Sequence, residues 1–181
     1  MHDSTNVVAS PLITAITKLG MDHVHLLGPS LADITRHKAG IMRENTVCVT
    51  CEQQPEALAV LKSEAQRLSA PLDVVIDDPF SSVTKSLPTI AHRTNAAIAI
   101  KVATNILQRR KEANSVPAFD EEDVIEGLKI CKNPGSFQEF SKGPCHFHLD
   151  TAHNSISLPI ALDWFTEKAS SLVNKWVLLL S

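Results

Sequence analysis

The chain has 181 residues, of which 44% are hydrophobic, 20% are charged and six are glycine, and its formal net charge is -3. Because acidic and basic residues are mixed along the chain, the sequence excludes the single-sign field that attracts nucleic acid or an anionic membrane. No pair or trio of the glycines has the spacing of a Gly-rich phosphate loop, so this stretch carries no such phosphate cradle.

Strands and helices alternate in the first part of the chain. β-Branched runs predict the strands, and capping signals predict the helices. The strands span residues 7–17 with a break at Pro11, 46–51 and 72–76, and the helices span 30–38 and 55–68. Residues 21–28 and 77–90 are predicted loops. This alternation predicts an α/β fold, with a mainly parallel sheet and flanking helices.

The later part of the chain predicts three helices and two strands. The helices span 94–110, a stretch that begins at Asp120, and 155 or 157 to 170, and the strands span 145–149 and 176–180. A turn at 133–136 lies in a compositional break near 132–144. We therefore predict a domain boundary at about residue 140.

Two of the residues that could carry chemistry lie in the first part. In open α/β sheets, ligands bind at the carboxyl ends of the strands, so Asp22, His23 and His25 after the first strand are candidate metal or phosphate contacts. Two histidines at i and i+2 point apart, so we expect at most one ligand between them, and bonds to backbone would also explain both. Lys38 ends a helix, where the macrodipole favours a cation without any function.

Two further patterns contain residue types that commonly bind metal ions. His146, His148 and Asp150 alternate along one face of a predicted strand, which suggests a metal-dependent hydrolase. The pattern departs from the metallo-β-lactamase signature at the next residue, Thr151. The C-x-x-C pair Cys48 and Cys51 lies inside a predicted strand and has no second pair, so we predict small buried side chains there.

Several motifs in one order resemble the middle of a known family. They are D-S-T-N at 3–6, I-T-K-L-G-M-D-H at 16–23, L-L-G at 26–28, K-A-G-I at 38–41, A-L-A-V-L at 57–61, H-R-T-N-A-A at 92–97, N-P-G at 133–135 and L-D-T-A-H-N at 149–154. Together they resemble the folylpolyglutamate synthases of the Mur ligase superfamily, along essentially the whole chain. The spacing of the D-H and L-L-G motifs favours the folate branch of that superfamily.

The resemblance implies an ATP-dependent ligase that adds glutamate to the γ-carboxylate of folate through an acyl phosphate. It implies that His23 binds Mg²⁺, that Lys38 is a carbamylated lysine, and that Asn95 and Asp150 contact ATP. Residues 1–140 would be the second half of the ATP-binding central domain, and residues 141–181 the start of the C-terminal glutamate-ligase domain.

The chain also departs from the family's motifs. Ser136 stands where the family has an arginine that holds ATP phosphate, Thr151 replaces a glycine, and Lys18 stands where serine is usual. The family's phosphate loop would precede Met1 and most of its C-terminal domain would follow Ser181, so the resemblance implies a truncated fragment. We expect no catalysis by the isolated chain, because phosphoryl transfer depends on the positioning that those parts supply.

The implied substrates are folate and L-glutamate, the implied cofactors are ATP and Mg²⁺, and neither nucleic acid nor membrane is expected as a partner. The complete protein would be a monomer. Four cysteines make no disulfide framework at this length, which predicts a cytoplasmic protein, with a mitochondrial form as an alternative. Three other functions stay open: a non-catalytic relative that only binds, the metal-dependent hydrolase, and a Mur-type ligase or dihydrofolate synthase with another carboxylate substrate.

Overall fold

The computed structural model describes residues 4–111 and 119–170. The chain forms two compact units, Met1–Ile130 and Cys131–Ser181, each with its own sheet. The predicted boundary at residue 140 lies inside the second unit and stays a prediction. No helix in the described residues combines the length and the apolar character that a bilayer crossing requires.

A three-stranded parallel sheet forms the centre of the first unit. Its strands are β1 (Thr14–Ile16), β2 (Cys48–Cys51) and β3 (Leu72–Val75), in the order β1-β2-β3. Ile16 pairs with Thr50, which pairs with Val74, so the three strands end at the same edge. The predicted α/β class and the parallel sheet are therefore confirmed.

Helices cover both faces of this sheet. The helices of the first unit are α1 (Val24–Leu27), α2 (Leu31–Ala39), α3 (Pro55–Arg67), α4 (Ser81–Thr84), α5 (Ile90–Lys111) and α6 (Glu121–Ile130). Cys48 on one face of β2 packs with Leu31 and Leu61 from α2 and α3, and Val49 on the other face packs with Ile98 of α5. All four residues of β2 are buried, as is typical of a strand with helices on both sides.

Sequence reasoning was wrong at the start of the chain. Ser4–Val7 form a 3-10 helix, and Val7 is 82% exposed, so this is no buried strand. Arg43 anchors the segment by donating from Nη2 to the Asn6 carbonyl at 2.8 Å. Pro11 has no N–H to offer a ladder, and β1 begins only at Thr14.

The predicted loops at 21–28 and 77–90 each contain a single helical turn, α1 and α4. A helix of four residues is too short to show a hydrophobic period, so sequence reasoning could not detect either one. Helix α5 begins before the predicted residue 94, because Thr89 caps its start by accepting the His92 amide at 3.3 Å.

The second unit contains an antiparallel hairpin and a helix. The hairpin pairs β4 (Gln138–Lys142) with β5 (Cys145–Leu149), and α7 (Ser157–Ser170) follows. The predictions of β5 and α7 are confirmed, whereas β4 was missed. Every residue of β4 is exposed and one of the five is strongly apolar, so its composition gives no strand signal. The predicted strand at 176–180 lies outside the described residues.

The four thiols divide into two chemical environments, and this division can be tested. Cys48 and Cys51 are buried in β2, and the burial raises the pKa of both thiols, whereas Cys131 and Cys145 are exposed. We expect only the exposed pair to react rapidly with a maleimide at pH 7.5, because a protonated, buried thiol is a poor nucleophile. Mass spectrometry of the labelled chain counts the modified sites, and denatured chain gives the control value of four. Rapid labelling of Cys48 or Cys51 in the folded chain would contradict the assignment.

Candidate functional site

The carboxyl edge of the three-stranded sheet is the part of the first unit where the predicted site residues can be compared. Helix α5 runs antiparallel to the strands: Ile98 packs with Cys51 at the end of β2, and farther along α5 the Arg109 guanidinium donates to the Leu12 carbonyl, ahead of β1, at 2.8 Å. The start of α5 therefore lies toward the carboxyl edge. Asn95, in the second turn of α5, is exposed near that edge.

His23 follows the end of β1 and lies at the same edge. Its backbone is left-handed, with φ 49° and ψ 37°, and its carbonyl accepts the Leu26 amide at 2.8 Å to open α1. The Asp22 carboxylate accepts the His23 amide at 2.8 Å, and its other oxygen lies 3.7 Å from His23 Nε2. About half of the imidazole is exposed. The pair thus presents an oxygen and a nitrogen donor side by side.

The two candidate histidines separate, as the i, i+2 spacing predicts. His25 lines an open groove of about 950 Å³ between α1, α2 and α3. Neither His23 nor Lys38 lines that groove. Three arginines line it: Arg36 pairs with Asp33 at 3.1 Å, Arg67 pairs with Glu64 at 2.8 Å, and Arg43 donates to the Gly40 and Asn6 carbonyls. Each guanidinium group is therefore already hydrogen-bonded within the chain.

The turn before α2 fixes where that helix starts. Gly28 has φ +109°, and a Cβ there would lie 2.6 Å from the Asp33 Cβ, so this position requires glycine. Ser30 caps α2 by accepting the Asp33 amide at 3.1 Å, and its hydroxyl donates to the Asp33 carboxylate at 2.5 Å. That hydroxyl contact is the main cause that lowers the pKa of Asp33 below its ordinary value.

Lys38 lies in the last turn of α2 and is exposed. At the start of α2, the Ala32 amide donates to the carboxylate of Glu56, in the first turn of α3, at 3.2 Å. Beyond the end of α2, the Asn45 amide donates to the carbonyl of Leu68, which caps the end of α3, at 3.2 Å. The two helices are therefore parallel, and Lys38 lies farther from the carboxyl edge than the start of α2 does.

In the second unit, Asp150 closes the turn beside the hairpin. One carboxylate oxygen accepts the Phe137 amide at 2.8 Å, and the other accepts the Ala152 amide at 2.8 Å. The Ser136 hydroxyl lies 3.5 Å from the first of these oxygens. The position where the family has an arginine is thus adjacent to the Asp150 carboxylate, and no ion pair involves Asp150 within the described residues.

The proposed metal face of β5 does not gather its three side chains around a common point. His146 Nδ1 lies 2.9 Å from the Ser141 hydroxyl. The His148 ring packs edge-on against Trp164 and Phe165, with centroids 5.3 and 5.5 Å apart. Within the part of the chain that the structure describes, His146, His148 and Asp150 do not form a three-ligand group. The hydrolase hypothesis gains no support.

Sequence reasoning missed one residue at the carboxyl edge. Gln53 is 5% exposed and bonds to backbone groups of the segment that leads to His23. Glutamine two residues after a strand is ordinary in composition, and its partners are 34 and 36 residues away in sequence. Such a contact has no local sequence signal.

Three of the relatives found among curated proteins have similar identity to this chain. A probable folylpolyglutamate synthase of Schizosaccharomyces pombe is 33% identical over 170 residues, 92% of this chain and 33% of that protein. A folylpolyglutamate synthase of Neurospora crassa is 34% identical, covering 92% and 32%. A mitochondrial folylpolyglutamate synthase of Bos taurus is 30% identical, covering 92% and 32%. No family model matches the chain.

Solved structures show the same fold. The apo form of L. casei FPGS superposes with a TM-score of 0.73 at 22% identity, covering 97% of this chain and 45% of that one. Mycobacterium tuberculosis folylpolyglutamate synthase complexed with ADP and AMPPCP gives a TM-score of 0.71 at 21% identity, covering 92% and 41%. This chain is therefore homologous to the folylpolyglutamate synthases over about a third of their length, and the resemblance predicted from its motifs is confirmed.

Proposed function

We propose that this chain is part of an ATP-dependent ligase that joins L-glutamate to the γ-carboxylate of folate through an acyl phosphate. The observation that carries the proposal is the 30–34% identity to folylpolyglutamate synthases over 92% of the chain. Because the chain spans only a third of the length of those relatives, the activity would also require the segments that make up the other two thirds. Residues 1–140 would contribute to its ATP-binding domain and residues 141–181 to its glutamate-ligase domain.

His23 would bind Mg²⁺ at the carboxyl edge. A Mg²⁺ ion in a phosphate-transfer site keeps several waters and binds one or two protein groups together with phosphate oxygens. The partly exposed pair of Asp22 and His23 fits that requirement, with the two side chains 3.7 Å apart and open to solvent. When bound, the ion would neutralise charge on the phosphate oxygens of ATP and of the acyl phosphate.

Asn95 and Asp150 would contact the nucleotide, and Lys38 would be carbamylated. The exposed amide of Asn95 lies near the start of α5, where the helix dipole favours an anion such as phosphate. The Asp150 oxygen that accepts the Ala152 amide keeps a second acceptor position, whereas the other oxygen accepts both the Phe137 amide and the Ser136 hydroxyl. The Lys38 ammonium would first lose a proton to give the amine. Addition of CO₂ to that amine, with loss of a second proton, would form a carbamate and so replace an exposed cation with an anion.

Other features of the complete protein are also proposals. A monomer in the cytoplasm is the simplest form, and a mitochondrial form is supported by the mitochondrial relative from Bos taurus. A Mur-type ligase or dihydrofolate synthase would share the chemistry and act on another carboxylate. All three of the relatives named above are folylpolyglutamate synthases, which favours folate as the substrate.

A chimera tests the function directly. Residues 1–181 would replace the aligned segment of the Schizosaccharomyces pombe relative, which supplies the remaining two thirds. We expect folate- and glutamate-dependent release of ADP and incorporation of radiolabelled glutamate into folate. His23→Ala should lower kcat/KM at least about 100-fold, because it removes a ligand of the ion that offsets phosphate charge.

His25→Ala provides the matched control, since that histidine lines the groove away from the edge, and it should change the rate less than threefold. A chimera that unfolds cooperatively but shows no turnover would contradict the proposal and favour a non-catalytic relative. Turnover that survives His23→Ala would contradict the role of His23. A preference for a carboxylate other than folate would favour the other ligases.

Ser136 gives a second test in the same chimera. An arginine there would lie beside Asp150 and supply the planar cation that binds phosphate with two hydrogen bonds. We expect Ser136→Arg to lower the KM for ATP about tenfold with little change in kcat. Ser136→Gln, which is long but uncharged, is the control. An unchanged KM for ATP in Ser136→Arg would show that this position does not face the nucleotide.

A further inference from the structure

Gln53 is a buried polar residue just beyond the end of β2. Its Oε1 accepts the Leu19 amide at 3.0 Å, and its Nε2 donates to the Thr17 carbonyl at 2.9 Å and to the Thr50 hydroxyl at 3.0 Å. The side chain is 5% exposed. A buried amide needs hydrogen-bond partners, and this one finds two of them in the segment that follows β1.

These bonds continue the β1–β2 ladder beyond its last residue pair. The parallel pairing ends with Ile16 opposite Thr50, so the Thr17 carbonyl and the Leu19 amide have no strand partner. An unpaired backbone group in a buried position costs about as much as a lost hydrogen bond. The Gln53 amide supplies one acceptor and one donor, as a peptide group of the next strand residue would.

The network also fixes which way the Gln53 amide faces. Thr50 Oγ1 donates its proton to the Ile16 carbonyl at 2.8 Å, so it must accept from Gln53. A flipped amide would place its NH₂ group against the Leu19 N–H and its oxygen against the Thr17 carbonyl. Both contacts would be repulsive, and therefore a single orientation is stable.

The segment bound by Gln53 leads directly to His23. Leu19 is buried in the core beneath α2 and α3, and three residues then connect it to His23. At the far end, the His23 carbonyl accepts the Leu26 and Leu27 amides at 2.8 and 2.9 Å. The loop is thus held at both ends. At the end nearer the sheet, Gln53 bonds to the Thr17 carbonyl and the Leu19 amide, and Lys18 Nζ donates to the Glu52 carbonyl at 2.7 Å.

We propose that Gln53 is a positioning residue: it holds residues 17–19 so that the Asp22 and His23 side chains lie in place for a divalent cation. The proposal rests on the cation role of His23 proposed above. Gln53 itself touches neither ion nor nucleotide in this assignment. Groups that orient metal ligands contribute about 10- to 100-fold to metal affinity, which sets the expected size of the effect.

The first test uses the 181-residue chain and backbone ¹⁵N relaxation. Gln53→Met keeps the length of the side chain and removes its polar atoms. The neighbouring, exposed Gln54→Met makes the same chemical change outside the network and is the matched control. We expect order parameters at residues 20–23 to fall below about 0.6 in Gln53→Met and to stay near wild type in Gln54→Met. Unchanged order parameters in Gln53→Met would overturn the proposal.

If Gln53→Met fails to fold, Gln53→Glu replaces it. Glutamate has the same shape and still accepts the Leu19 amide, but it cannot donate to the Thr17 carbonyl while ionised. The same loss of order at residues 20–23 is expected, and a rigid loop would again overturn the proposal.

The second test uses the active chimera. Gln53→Met should raise the Mg²⁺ concentration for half-maximal turnover about 10- to 100-fold, with kcat at saturating Mg²⁺ lowered less than threefold. Leu61→Ala removes a fully buried core side chain and controls for lost stability, so it should leave the Mg²⁺ dependence unchanged. An equal shift of the half-maximal Mg²⁺ concentration in Leu61→Ala would contradict the proposal, because lost stability alone would then explain the effect of Gln53→Met. An inactive wild-type chimera would contradict only the proposed function. The relaxation test would still decide whether Gln53 orders the loop.

Discussion

The constraint on which the rest of this fold depends is the common edge at which the three parallel strands end. A parallel ladder satisfies backbone groups only while strands run side by side, and beyond Ile16 and Thr50 that pairing stops. The chain must then satisfy its buried polar groups by other means or leave them exposed. Here it uses the Thr50 hydroxyl in β2 and the Gln53 amide just beyond it, so the segment that begins the loop to His23 is bonded to side chains in and after the neighbouring strand.

The same sheet determines where the helices lie. Because β2 is central and buried on both faces, it needs helices on both sides, and the crossovers place α2 and α3 on one face and α5 on the other. The antiparallel direction of α5 also places its start toward the carboxyl edge, where β1 ends. The convergence of His23 and Asn95 on one edge is therefore a consequence of topology, and it needs no direct contact between their side chains.

The strands and helices that could be predicted from the sequence are those with a signal in a local residue pattern. Continuous β-branched runs predicted β2 and β3, and a capping serine predicted the start of α2. The exposed strand β4 and the single-turn helices could not be predicted, because each is stabilised by a partner elsewhere in the chain and has no period of its own. Val7 was wrongly assigned to a strand because β propensity reflects burial, and this valine is exposed. His23 and Asn95 came from motifs, whereas Gln53 depends on contacts across more than thirty residues.

The serine at position 136 changes the charge balance of the second unit. An arginine in this turn would lie next to the Asp150 carboxylate, and the pair would be close to neutral. With serine, the Asp150 carboxylate accepts hydrogen bonds from two backbone amides, and within the described residues it has no cationic partner. An anion would be repelled by that carboxylate, whereas a hydroxyl or amide group could donate a hydrogen bond to it. The replacement of arginine by serine therefore makes this turn better suited to a hydrogen-bond donor than to an anion.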